Sequence, residues 1–251
     1  MALDYLKYLL YFIVGILPCI IWLIFYLRQD MHPESNRKII EIFILGMIIV
    51  APVLIIENLL GNFLVKNLPT LFNVDSVSPT LVQLLFYYTI VIGFIEEFFK
   101  YIVVKLRAIK SSHFDEPIDA MLYTIIISLG LAAIENLAVI FQTTEIGSAI
   151  LISVIRLLTA IFLHSLAAAI TGYFLALSLS LRNKWKRFLI IISGLLLASV
   201  FHGVYDVSVV NLEKATNIFD FLFPIVIIML MGVIVYIFFI KVKKIPRSCK
   251  A

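Results

Sequence analysis

Long apolar runs separated by short polar joints organise this chain of 251 residues. The runs cover about residues 3–27, 38–64, 81–105, 118–141, 149–181, 188–211 and 221–240. Each approaches or exceeds the ~20 residues a helix needs to cross a bilayer. The joints carry turn residues: HPESN after the first run, NLPTLFNVDSVSPT after the second, SSHFDEP after the third and LRNKWKR after the fifth. The pattern predicts an all-α, polytopic membrane protein of about seven transmembrane helices. No repeat period, low-complexity segment or soluble domain interrupts it, so residues 1–251 read as one transmembrane domain.

Composition supports the pattern. Hydrophobic residues make up 63% of the chain and charged residues 14%, whereas a soluble domain is about half apolar and about a quarter charged. The net charge of +4 is no sign of nucleic-acid binding, because the basic residues sit in short joints beside the spans. They also alternate from joint to joint. Fifteen Lys and Arg lie after spans one, three, five and seven, and only Lys7, Lys66 and Lys214 lie at the opposite ends. By the positive-inside rule the N-terminus is outside and the C-terminus cytoplasmic. The first run lacks a basic leader and a small-residue cleavage site, and reads as a retained span. Cys19 and Cys249 give neither a disulfide framework nor metal-ligand spacing.

Ionisable residues inside spans are rare, and each is a functional candidate. Here they are Glu57, then Glu96, Glu97 and Lys100 in GFIEEFFKY, Glu135 beside Asn136, Arg156 and His164, and finally His202 and Asp206. Glu96 and Glu97 stand four and three residues before Lys100, so either carboxylate can pair with the ammonium. Neighbouring helix residues point about 100° apart, so one glutamate is expected on Lys100 while the other faces a cavity. His202 and Asp206 share a helix face, and Gly203 between them permits close helix approach. Ala160, Ala167, Ala168 and Thr171 surround His164 with small residues, which places that face inside the protein. Plainer roles exist for each: a structural ion pair for Glu96–Lys100, a packing histidine for His164 and a polar helix clamp for Glu135–Asn136. Arg156 reads as snorkelling or answering a membrane carboxylate, and Glu57, near the outer end of its span, as structural.

The set suits hydrolysis. A carboxylate enclosed in an apolar cavity is fitted for general-base work on water, and a nearby imidazole can stabilise the oxyanion formed at a carbonyl. His164 and His202 with Glu97 or Asp206 are equally a catalytic zinc shell by composition. HEXXH is absent, and spacing does not separate the two mechanisms; no cofactor is required, and zinc stays open. Proton-coupled transport also uses such residues, but the matching halves common in transporters are missing here.

The stretches WLIFYLRQDMHPES, GFIEEFFKY, FDEPIDAMLY, SLGLAAIENL, RLLTAIFLHSLAAAITGY and FHGVYDVS run in order from residue 22 to 208. In order and spacing the chain resembles the PrsW family of bacterial intramembrane proteases, within the superfamily of the CAAX prenyl proteases. The resemblance implies an endopeptidase of the bacterial cytoplasmic membrane acting on membrane-anchored proteins such as anti-sigma factors. It maps an EExxK motif onto Glu96, Glu97 and Lys100, a histidine onto His164, HxxxD onto His202 and Asp206, and a further glutamate onto Glu135. Ala120 stands where the family pattern has glycine, and Ser35 where it has proline. Span seven, about 221–240, and the basic tail 241–251 lie beyond the resemblance. The site is expected among spans three to six, with Glu96 as base, Glu97 second, and Lys100 holding the carboxylate that is not reacting. Asp115–Asp119, in DEPID, reads as capping at a helix start.

Overall fold

One span is enclosed by the others. In Pro117–Ile140, 78% of the apolar window is buried inside the protein, against 22–39% in the remaining six. In chain order the computed structural model has α1 (Ala2–Leu27), α2 (Asn36–Asn67), α3 (Leu81–Ala108), α4 (Pro117–Ile140), α5 (Ile146–Leu158), α6 (Ala160–Leu179), α7 (Lys184–Val210) and α8 (Ile218–Val242). It describes residues 2–30, 32, 34–68, 80–214 and 217–245. The second joint from 69 to 79, and the end of the tail with Cys249, lie outside these residues. Among the described residues the regular structure is entirely helical, and seven helices are long and apolar enough to span a membrane, as the hydrophobic runs predict.

The joints set the helix starts. Ser35 caps α2 by accepting from the Lys38 N–H, Thr80 and Gln83 form a capping box at α3, and Asn183 accepts from two N–H groups at α7. Asp119 Oδ2 accepts from the Asp115 and Glu116 N–H groups, with Pro117 at the first helical position. That is the capping role expected of DEPID.

Two departures from the simple span pattern shape the centre. Tyr87–Gly93 and Val104–Ala108 of α3 are wound as π-helix, flanking the α-helical stretch Phe94–Val103. Span five is two helices, broken at Thr159 (φ −121°, ψ −98°). The break exposes carbonyls that hydrocarbon cannot satisfy. Trp22 Nε1 donates to the Leu157 carbonyl at 2.7 Å, and Thr159 Oγ1 to that of Ile155 at 2.8 Å. The Trp22 ring also stacks on Phe162, centroids 4.2 Å apart. α5 then leans on α1 while α6 stands against α4.

Lipid offers no hydrophobic force between helices, so contact depends on close packing. α2 and α4 cross where Gly46 meets Gly130. A Cβ on Gly130 would lie 3.0 Å from Gly46 Cα and collide with the Phe43 carbonyl oxygen. Overpacking costs about 1–3 kcal/mol where side chains can give way, and more here, because the atoms met are backbone. Gly130→Val is therefore expected to lower the unfolding temperature in detergent clearly. Gly147→Ala, where an added Cβ meets nothing within 4 Å, should hold it or raise it slightly; equal behaviour of the two variants would contradict the crossing.

Candidate active site

The ionisable residues converge because α3 and α7 approach backbone to backbone. A Cβ on Gly203 would stand 2.6 Å from the Thr89 nitrogen, and one on Gly93 would stand 2.9 Å from the Ser199 carbonyl oxygen. Thr89 lies in the π-helical stretch of α3, whose wider turn ends at Gly93, just before the glutamates. π segments of this kind occur frequently at functional sites. The glycines thus let α3 set its glutamates beside His202.

At the centre, Lys100 bonds both glutamates. Its Nζ donates to Glu96 Oε2 at 3.0 Å and to Glu97 Oε1 at 2.8 Å, and lies 3.4 Å from His164 Nδ1. The expectation that the ammonium would take one carboxylate is corrected by this geometry. The two carboxylates leave the helix in different directions, but the four-carbon lysine stem places three rotatable donors between them. Glu97 is fully buried, with Thr171 Oγ1 donating to its Oε2 at 3.3 Å and His202 Nδ1 at 3.6 Å from its Oε1. Glu96 lies 3.5 Å from His164 Nδ1.

The histidines meet edge to face, ring centroids 4.9 Å apart. His164 Nε2 is 2.8 Å from Glu135 Oε2, so Glu135 fixes that ring. His202 Nε2 is 3.5 Å from Asp206 Oδ2. Glu135 and Asp206 are the more open members, with side chains 31% and 23% exposed, so the cluster opens on their side. Ser128 Oγ donates to the His164 carbonyl at 2.8 Å, tying α4 to α6 at the same level.

Not every candidate joins this cluster. Asn136 donates to the Gly15 carbonyl at 2.6 Å and accepts from Arg156 Nε at 2.8 Å. It clamps α1, α4 and α5, so the polar clamp belongs to Asn136 while Glu135 turns to His164. Arg156 answers an amide rather than a carboxylate. Thr171, noted in the sequence only as a small residue, is a direct partner of Glu97. Glu57 is buried, and its Oε1 has no hydrogen-bond partner. Its charged neighbours include Glu96, His202 and Lys100, so it faces the cluster from α2. Its place inside a span was the signal for it.

Glu96, His164 and His202 each offer a ligand atom, all within 4.8 Å of one another and all buried. His202 Nδ1 is enclosed without a hydrogen-bond partner. Two imidazoles and a carboxylate are a recognised catalytic zinc donor set, and the orphaned nitrogen is an atom that a metal would satisfy. The residues fit such an ion; Glu96, rather than Glu97 or Asp206, completes the set.

Residues 34–240 match the profile of the PrsW family intramembrane metalloproteases. Curated relatives named Protease PrsW include that of Clostridioides difficile (26% identical, covering 78% of this chain and 77% of the relative). Those of Bacillus subtilis (27%) and Oceanobacillus iheyensis (29%) each cover 76% of this chain and 79% of the relative. No solved structure matches.

Removing one member of a buried ion set leaves an uncompensated charge, at a cost of about 3–5 kcal/mol. Lys100→Met is therefore expected to destabilise the protein severely. Glu96→Gln/Glu97→Gln/Lys100→Met, which removes the charges together, should recover most of the loss. Chemical unfolding in mixed micelles would measure both, and a triple variant as unstable as the single one would refute this account of the network.

Proposed function

The chain belongs to the PrsW family of intramembrane metalloproteases, and from that premise we propose that Glu96, His164 and His202 form the centre where a membrane-anchored protein is cut. The observation that carries the reading is their convergence from three spans into one buried cluster. Glu96 accepts the proton of the attacking water. Lys100 and His164 Nδ1 flank it, and it is the base we favour over Glu97, which Lys100, Thr171 and His202 enclose. Glu97 holds Lys100, and Lys100 keeps the paired carboxylates compatible with hydrocarbon. With Nε2 turned toward Asp206, His202 presents Nδ1 to the cluster. It donates to the carbonyl oxygen when the ring carries both protons, and is a ligand atom when it carries one. Glu135 orients His164, as outer carboxylates do for catalytic imidazoles. Were a zinc-type ion held by His164, His202 and Glu96, it would supply activation of water at neutral pH, and Glu96 would then serve as a ligand in place of its role as base.

The family resemblance supports a membrane-anchored regulator, such as an anti-sigma factor, as substrate. The asymmetry of basic joints supports a bacterial cytoplasmic membrane with the N-terminus outside. Purified protein, handled without added metal or chelator, should cut a membrane-anchored test substrate. Loss of general-base catalysis in Glu96→Gln is expected to lower kcat by about 10²–10⁴, in protein that remains folded. Elemental mass spectrometry on the same samples separates the mechanisms. Near-stoichiometric zinc, lost in His164→Ala and in His202→Ala, assigns both histidines as ligands, whereas cleavage by metal-free protein assigns water activation to the glutamate alone. Unchanged turnover in Glu96→Gln would remove it from the chemistry.

A further inference from the structure

A groove of about 710 Å³ lies between α1, the break in span five and α8, and no residue of the catalytic cluster lines it. Leu166 and Val235 are buried in its wall beside the stacked Trp22 and Phe162 rings, while Phe25 and Tyr236 stand at its exposed rims. The polar groups of this wall already have partners. The Trp22 indole donates to the Leu157 carbonyl, and the Tyr26 hydroxyl meets Ser165 Oγ at 3.0 Å. Gln29, just after α1, and Lys243, at the end of α8, differ: neither side chain has a hydrogen bond or ion pair among the described residues. They mark one end of the groove, and Gly232 marks the other. Along α8 the two ends are about 17 Å apart at ~1.5 Å per residue. The hydrocarbon core of a bilayer is ~30 Å thick, so the groove runs the depth of one leaflet, on the side of the basic joints.

A second, smaller cavity of about 190 Å³ shares Gln29 and Lys243 with the groove and continues past them to Asp30, His32 and Glu116. One path therefore leads from apolar wall, past a single ammonium, to carboxylates. Its dimensions and its order of charge select an occupant. A transmembrane helix, about 10 Å across with its side chains, would need about 1,300 Å³ over the same length, nearly twice the space. A single hydrocarbon chain is thinner and matches the leaflet in length. At the membrane edge a lysine attracts an anionic headgroup. The carboxylates beyond Lys243 repel further negative charge and attract a cation. The order tail, phosphate, ammonium answers the order apolar wall, lysine, carboxylate.

We propose that the groove holds one acyl chain of an aminophospholipid of the phosphatidylethanolamine class, with its phosphate on Lys243 and Gln29 and its ammonium facing Asp30 and Glu116. The chain lies against Leu157 and Phe162, on either side of the break at Thr159. Backbone carbonyls freed from a helix inside a bilayer must be satisfied within the protein. Hydrocarbon in the groove keeps water from the bond between the Trp22 indole and the Leu157 carbonyl. Phe162 stands two residues before His164, so the lipid braces the first turn of the helix that carries this imidazole.

The test uses the full-length protein, delipidated in micelles and titrated separately with phosphatidylethanolamine, phosphatidylglycerol and phosphatidylcholine, with bound lipid counted by native mass spectrometry. One phosphatidylethanolamine per chain should be retained, with a lower Kd than either of the others. Glycerol brings no charge to the carboxylates, and the choline ammonium has no N–H to donate. Lys243→Ala should weaken binding of all three about fivefold, the worth of one basic residue at a membrane surface. Asp30→Asn keeps an acceptor for the His32 N–H and should erase the preference for ethanolamine while leaving phosphatidylglycerol binding in place. Gly232→Phe places a ring in the groove at a position where an added Cβ meets nothing within 4 Å, and should abolish retention. Gly147→Phe, equally open but on no wall of the groove, should retain the lipid. Unfolding temperatures in lipid-free micelles check that each variant is folded; if Gly232→Phe is not, Lys243→Ala and Asp30→Asn decide the matter. Equal affinity for the three lipids would overturn the proposal, as would retention unchanged in Gly232→Phe or in Lys243→Ala. A dimer that Gly232→Phe dissolves would assign this face to a second copy of the chain and overturn it as well.

Discussion

A lysine ammonium that must balance two carboxylates inside a bilayer governs the arrangement around it. Removing any of these charges from water is expensive unless partners and hydrogen bonds replace the solvent. Lys100 satisfies that demand by touching both Glu96 and Glu97, with Thr171 and the two histidines beside them. The partners come from α3, α6 and α7, so electrical balance and helix packing constrain one another. The α3–α7 contact at Gly93 and Gly203 is close enough for a carboxylate on one helix to meet an imidazole on the other.

The spans were legible because bilayer thickness dictates their length, and hydrophobic runs record that length directly. The break in span five was not. ISVIRLLTAIFLHS contains no proline or glycine, and the interruption at Thr159 is held from outside, by the Trp22 indole and by the Arg156–Asn136 bond. The π-helical turns of α3 are equally silent in YYTIVIG, where the one glycine ends the stretch. Both features arise from contacts between helices, which a single periodicity does not carry.

Within the site, spacing along one helix was readable and direction between helices was not. The i,i+3 and i,i+4 relations of Glu97 and Glu96 to Lys100 named the ion pair, but the lysine's simultaneous reach to both depends on its rotamer. The sequence offers Glu135 and Asn136 a shared clamp role as the plainer reading, beside a site role for Glu135, because the two are adjacent. Adjacent helical residues diverge by about 100°, and the pair serves two masters: His164 on one side, and Gly15 and Arg156 on the other.

These facts make α4 the common support for chemistry it does not itself perform. Its middle is packed by small and branched residues, and one hydroxyl, Ser128, reaches α6 at the His164 carbonyl. Its far end holds Glu135 against the His164 ring, and its near end is capped by Asp119. A rod buried on every side cannot shift along its axis without unseating both ends. The orientation of His164 therefore rests, through Glu135, on the helix that the other spans enclose most fully.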